Sequence, residues 1–143
     1  MAELHALWEM AKDAVIEAVD DFTRAAREAL CGADFILRRK GSRLFVQVKN
    51  WAYASPSKLA AAEAGHLLKF ARIAEKDPSA EFWIRVYAER FSRNMNIEGF
   101  LKALKRYYVR NMGLREEQAD EVIALLRGRV KIDTVVGRVV LPG

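Results

Sequence analysis

Cysteine is almost missing from this chain. Cys31 stands alone, so no internal disulfide can form, and with only His5 and His66 beside it a structural zinc site is short of ligands. There is no run of about 18 apolar residues, which excludes a membrane-spanning helix. The opening stretch "MAELHALWEMAKDAVIEAV" carries acids where a secretory leader carries a basic segment, so an intracellular, cytoplasmic protein is expected. No glycine-rich phosphate loop is found. Ser42, Ser55 and Ser57 lack a histidine–acid pair in any recognisable arrangement, which argues against a serine hydrolase. Repeats, low-complexity tracts and long linkers are missing too.

What is present describes one domain. The 143 residues suffice for a single hydrophobic core and are too few for two ordinary ones. With 52% apolar and 30% charged residues, the composition is that of a soluble globular protein. The net charge is +5, and its distribution is uneven. Residues 1–30 hold three Lys/Arg against seven Asp/Glu, a balance of −4; residues 31–143 hold 21 against 12, a balance of +9. A basic body of this kind suits a polyanion, with nucleic acid the first candidate. A merely soluble basic protein is the alternative.

The element order reads α-β-β-α-β-α-α-β. Leu4, Leu7, Trp8, Ala11, Val15, Ala18, Val19, Phe22, Ala26 and Ala29 recur at helical spacing and predict one helix over 3–30, ended by Gly32. Two strands follow near 34–39 and 43–50, with Lys40-Gly41-Ser42 as the turn. Ser55 as N-cap and Pro56 at the first helical position start a second helix, which runs to about Lys76 and is stopped by Asp77-Pro78. A third strand is expected over 81–91, helices over 97–111 and 115–127, and one or two short strands in the tail. The helical crossover places the third strand parallel to a neighbour. The expected fold class is α/β, a small mixed sheet covered by helices, with a core over about 1–92 and a C-terminal extension over 93–143.

The stretch "GADFILRRKGSRLFVQVKN" carries the candidate chemistry. In its second strand Leu44, Val46 and Val48 point one way, and Phe45, Gln47 and Lys49 the other. Gln47 and Lys49 therefore share a face, about 7 Å apart. Asp34 heads the first strand. A hairpin turning at 40–42 pairs Ile36 roughly with Val46 or Gln47 and brings Asp34 close to Lys49. An acid, an amide oxygen and an ammonium converge.

These residues resemble the core of the PD-(D/E)xK nuclease superfamily, which includes restriction endonucleases and archaeal Holliday-junction resolvases. "GAD", twelve residues and "QVK" look like its motif, and Gln47 is similar to the Q-x-K variant of the Mrr-type enzymes. The helix–strand–strand–helix–strand order over about 1–90 is similar to that superfamily's core. The resemblance implies a restriction endonuclease-like fold and a magnesium- or manganese-dependent deoxyribonuclease acting on DNA; the sequence does not exclude RNA. It implies Asp34, Gln47 and the Val48 backbone carbonyl as metal ligands, and Lys49 as the group that orients water or stabilises developing phosphorane charge. Two positions depart from the pattern. Ala33 replaces the usual proline, and Gln47 replaces the usual glutamate, so the motif itself supplies only the Asp34 charge.

The following helix offers a second carboxylate. Leu59, Leu67, Phe70 and Ala74 define its apolar face at about 100° per residue, and Glu63 falls in the middle of that face. Lys58, Lys69, Arg72 and Lys76 cluster opposite. A carboxylate within a buried stripe is expensive unless partnered. Glu63 looks like the migrated metal carboxylate of some family members, with His66 at i+3 to assist; the structural alternative is a metal-free ion pair with Lys49 or an arginine. The family's first helix often adds a glutamate, and Glu9, Glu17, Asp20, Asp21 and Glu28 all fall off the apolar face of a continuous helix.

Other features bear on a nucleic-acid partner. Arg38, Arg39, Lys40 and Arg43 form a basic hairpin tip, and Lys102, Arg106 and Arg110 form a stripe opposite Ile97, Leu101, Leu104 and Tyr108; either could touch phosphates or simply face solvent. Trp51 and Tyr53 could stack on a base or pack at the strand end. The valine-rich tail could pair across a homodimer. Three functions follow in order: a metal-dependent endonuclease; a catalytically inactive nuclease-fold protein that binds nucleic acid or serves as an assembly module; and a basic α/β protein whose Asp34–Lys49 pair is purely structural.

Overall fold

The computed structural model describes residues 2–10, 15–19 and 33–137. The elements are α1 (Ala2–Met10), β1 (Val15–Val19), β2 (Phe35–Arg39), β3 (Ser42–Ala54), α2 (Pro56–Lys76), β4 (Glu81–Phe91), α3 (Ile97–Asn111), α4 (Glu116–Leu126) and β5 (Val130–Val136). The five strands among the described residues form one mixed sheet in chain order. The β1–β2 and β2–β3 pairs are antiparallel, whereas the β3–β4 and β4–β5 pairs are parallel. The switch follows from the connections: a tight turn can only reverse the chain, and a helix is needed to return it.

The β2–β3 turn holds two residues, not three. Arg39 pairs with Ser42, leaving Lys40 (φ 51°) and Gly41 (φ 83°) at the tip. Positive φ at both positions matches the right-handed twist of the strands. The register is correspondingly tighter than expected, with Ile36 opposite Phe45 rather than Val46 or Gln47. β3 also runs on to Ala54, because β4 pairs with it along almost its whole length.

Alternation in β3 and β4 divides the sheet into two faces. Phe45, Phe82, Ile84, Val86 and Ala88 pack under α2, α3 and α4 with Leu59, Leu67, Phe70, Leu104 and Tyr108. Leu44, Val46, Val48 and Tyr87 pack with Ala2, Ala6 and Met10 of α1. α2 is bounded as its sequence signals require. The Ser55 side chain accepts from the Lys58 N–H, Pro56 opens the helix, and Asp77 ends it. Tyr108 of α3 donates to the Ala64 carbonyl of α2 at 2.8 Å and fixes the crossing of the two helices.

The N-terminal region corrects the expected single helix over 3–30. α1 is described over Ala2–Met10, and residues 15–19 form β1 against β2. The buried stripe of α1 is Ala2, Ala6 and Met10, while Leu4 and Trp8 are exposed. Short and β-branched residues explain both results: alanines let α1 lie close to the sheet, and Val15, Ile16 and Val19 favour extended backbone where a ladder partner is available. Residues 11–14 and 20–30 of the expected helix with its stop at Gly32, and 138–141 of the expected tail strand, lie outside the described residues. No helix among the described residues is long and apolar enough to cross a membrane.

Candidate functional site

Asp34 sits where β2 begins and caps the edge of β3. Its backbone N–H donates to the Val46 carbonyl at 2.8 Å, and its Oδ2 accepts from the Val48 N–H at 2.7 Å. The side chain thus continues the ladder past the last paired residue of β2. The N–H and C=O of one strand residue point to the same side, so the Val48 carbonyl is directed past the end of β2 beside this carboxylate.

Gln47, Lys49 and Trp51 project from β3 toward α2. Gln47 is buried, at 6% exposure. Lys49 reaches Glu63 of α2, with Nζ 3.2 Å from Oε1, and Nδ1 of His66 lies 3.2 Å from Oε2. Glu63 is fully buried, while Lys49 and His66 are partly exposed. The Lys49 contact is an ion pair by distance and charge without hydrogen-bond geometry, and Oε1 finds no hydrogen-bond donor among the described residues. Glu63 lies in the apolar stripe of α2 between Leu59 and Leu67, as the helical wheel places it.

Burial pushes the Asp34 carboxyl up to about 6, against the opposing pull of the Val48 N–H. Glu3 and Glu63 raise it further by charge, and Lys49 lowers it. Asp34, Lys49 and Glu63 therefore share one electrostatic site. Glu3 is an acid that the sequence did not single out. Its approach to Asp34 depends on α1 being short and lying on the sheet, which a continuous helix conceals. Among the acids weighed on that helix, Glu9 binds the Arg85 guanidinium at 3.3 Å on the other face of the sheet, in a cluster with Asp133. The Glu17 side chain and all of Asp20, Asp21 and Glu28 lie outside the described residues.

The donor set suits a hard cation in kind. Asp34, Gln47, Glu63 and the Val48 carbonyl are all oxygen ligands, and a buried carboxylate oxygen without a hydrogen-bond donor is one that a cation would satisfy. Only two carboxylates would anchor it, and among the described residues no three His, Cys, Asp or Glu side chains gather as a metal-binding group.

The peripheral basic residues divide by role. Arg39 donates to the Met10 carbonyl at 3.3 Å and lies 5.6 Å from the Trp83 ring, and Arg43 lies 5.2 Å from the Phe45 ring. Both pack as much as they present charge, whereas Arg38 and Lys40 are exposed. Lys102, Arg106 and Arg110 are exposed along α3 and line a shallow groove of about 390 Å³ with Lys105, Val109 and Glu116. A separate cleft of about 440 Å³, between the start of α3 and β5, contains none of the candidate site residues. Lys58, expected among the cations opposite the apolar face of α2, is exposed there, and its Nζ lies 4.5 Å from the Trp51 ring centroid. No protein-family model matches this chain, and neither does any curated protein or solved structure.

Proposed function

We propose that this protein is a metal-dependent endonuclease that hydrolyses phosphodiester bonds in DNA, built on a restriction endonuclease-like form of the mixed α/β fold. The observation that carries the reading is the position of Glu63. A fully buried carboxylate on α2 meets Lys49 of the Q-x-K motif and adds its charge to the surroundings of Asp34. The charge lost at Gln47 is thereby restored from the neighbouring helix.

Asp34, Glu63, the Gln47 side-chain oxygen and the Val48 carbonyl would hold one magnesium or manganese ion. Bound there, the ion supplies neutralisation of the scissile phosphate and a lowered pKa for the attacking water. Lys49 orients that water or stabilises the charge developing on the phosphorane oxygens. Asp34, hydrogen-bonded to the β3 backbone, keeps its place before and after reaction. His66 holds the second oxygen of Glu63 and so orients the carboxylate. A homodimer formed through β5, the outermost described strand on its side of the sheet, would let two single-strand cuts act together.

The test is a cleavage panel with Mg²⁺ and Mn²⁺ on linear duplex, single-stranded, flapped and four-way-junction DNA, with RNA alongside. Metal-dependent cutting is expected for the wild type and its loss for Asp34→Asn, Lys49→Ala and Glu63→Gln. Cutting that survives Asp34→Asn would overturn the site. A second reading has its own observation: both oxygens of Glu63 already have cationic or polar neighbours in Lys49 and His66. That network is self-sufficient in a catalytically inactive nuclease-fold protein that binds nucleic acid or serves as an assembly module. Binding without cutting on every substrate would select it.

A further inference from the structure

Trp51 follows the Q-x-K motif on the same face of β3, and two ammonium groups approach its ring. Lys58 Nζ lies 4.5 Å from the ring centroid and Lys49 Nζ 5.8 Å. Lys58 also donates from Nζ to the Tyr53 carbonyl at 3.3 Å. These contacts fix the direction of a side chain that would otherwise swing freely from the first turn of α2. They do not neutralise it. Lys49 has the Glu63 carboxylate as counter-charge, whereas among the described residues no carboxylate pairs with Lys58. The Lys58 side chain is exposed, so its charge faces solvent at the mouth of the site.

We infer that Lys58, seated on Trp51 beside Lys49, is a second phosphate-binding residue of this site and contacts the nucleic-acid backbone next to the phosphate that Lys49 meets. This rests on the nucleic-acid reading of the site. The division of labour follows from the counter-charges. Lys49, paired with a buried carboxylate, is placed for chemistry. Lys58, oriented by an aromatic ring and a carbonyl but left with its full charge, is placed for binding. Trp51 is a positioning residue for both.

The experiment is equilibrium binding of a short fluorescein-labelled DNA duplex by fluorescence anisotropy, in EDTA and across a KCl series. Lys58→Ala should weaken binding and lower the slope of log K against log salt by about one, and Lys58→Arg should restore the slope. Trp51→Leu should weaken binding at low salt with the slope kept, since the charge remains but its direction is lost. Removing a cation from the first turn of a helix does not weaken the helix, so Lys58→Ala should melt as the wild type does. An unchanged slope in Lys58→Ala would overturn the subsite. Competition by inorganic phosphate beyond that of KCl at equal ionic strength would assign a free-phosphate site and overturn the backbone assignment. Because EDTA removes catalysis from the readout, a lowered slope together with no metal-dependent cutting would sink the nuclease reading and leave this subsite standing. Cutting with an unchanged slope would do the reverse, and no binding at any salt would end both.

Discussion

Lys49 of β3 and Glu63 of α2 face each other at 3.2 Å across the boundary between sheet and helix, with the carboxylate fully buried and the ammonium partly exposed. The pair lies among Leu59, Leu67 and the apolar residues of the sheet. Two charges taken out of water there depend on each other.

Removing one partner should therefore hurt more than removing both. Glu63→Ala should destabilise the fold by about 3 kcal/mol, the lower end for breaking a buried pair, because Lys49 can still reach water. The double variant Lys49→Met, Glu63→Leu should recover most of that loss. Urea unfolding of the wild type, Lys49→Met, Glu63→Leu and the double variant gives the coupling directly. Strictly additive effects would show that the two residues do not act as a pair.

Asp34 should make the folded state less stable as pH rises. Burial raises its carboxyl to about 6 in the folded protein, from the ordinary 3.8 of the unfolded chain. Between those values the folded protein holds the proton that the unfolded chain has released, so stability falls with rising pH across that window and levels off above it. Asp34→Asn cannot titrate and keeps an acceptor for the Val48 N–H. It should be the more stable protein at pH 8 by about 1–2 kcal/mol, discounted for partial solvent access, and should lose that advantage at pH 4. Melting temperatures of the two proteins over this range measure it; a constant difference would contradict the raised carboxyl.

Divalent metal should stabilise the wild type and not its ligand variants. Mn²⁺ binding only the folded state raises the melting temperature in proportion to RT ln(1 + [L]/Kd). With two carboxylates the effect should require millimolar metal. Asp34→Asn and Glu63→Gln should each abolish the shift, and Lys49→Ala should keep or enlarge it, since the ammonium competes for Glu63. Loss of the shift in Lys49→Ala would count against that competition.

Gly99 offers a test of the fold alone. Alanine within a helix is usually favoured over glycine by about 0.5–1 kcal/mol. Here a Cβ would stand 2.1 Å from the Asn94 backbone carbonyl oxygen. The first turn of α3 packs on its own entry loop, where the Gly99 N–H is capped by Asn96. Gly99→Ala should reverse the usual sign and destabilise by about 1–3 kcal/mol, read by chemical unfolding.

Much of the architecture was legible from local chemistry. Ser55-Pro56 and Asp77-Pro78 bound α2, alternation from Phe82 to Ala88 marks β4, and Gly113 and Gly128 follow α3 and α4. These signals act within a few residues, so they survive whatever packs around them. The place of Glu63 was legible for the same reason, because one helical wheel shows a carboxylate inside an apolar stripe. The N-terminal region was not legible. The residues from Val15 to Val19 fit helical spacing as well as extended backbone, and the free edge of β2 decided between them.

By itself the sequence determined which groups carry charge, that Gln47 and Lys49 share one face of β3, and that Glu63 lies within the apolar stripe of α2. Tertiary structure alone decided their pairings. The two-residue turn sets the β2–β3 register and delivers Asp34 to the Val48 N–H. The seating of α2 on the sheet gives Glu63 to Lys49 and His66. The shortness of α1 brings Glu3 into the field of Asp34 and leaves Glu9 to Arg85. Periodicity fixes a direction for each side chain about its own element, but distances between elements follow from packing, which no local pattern encodes.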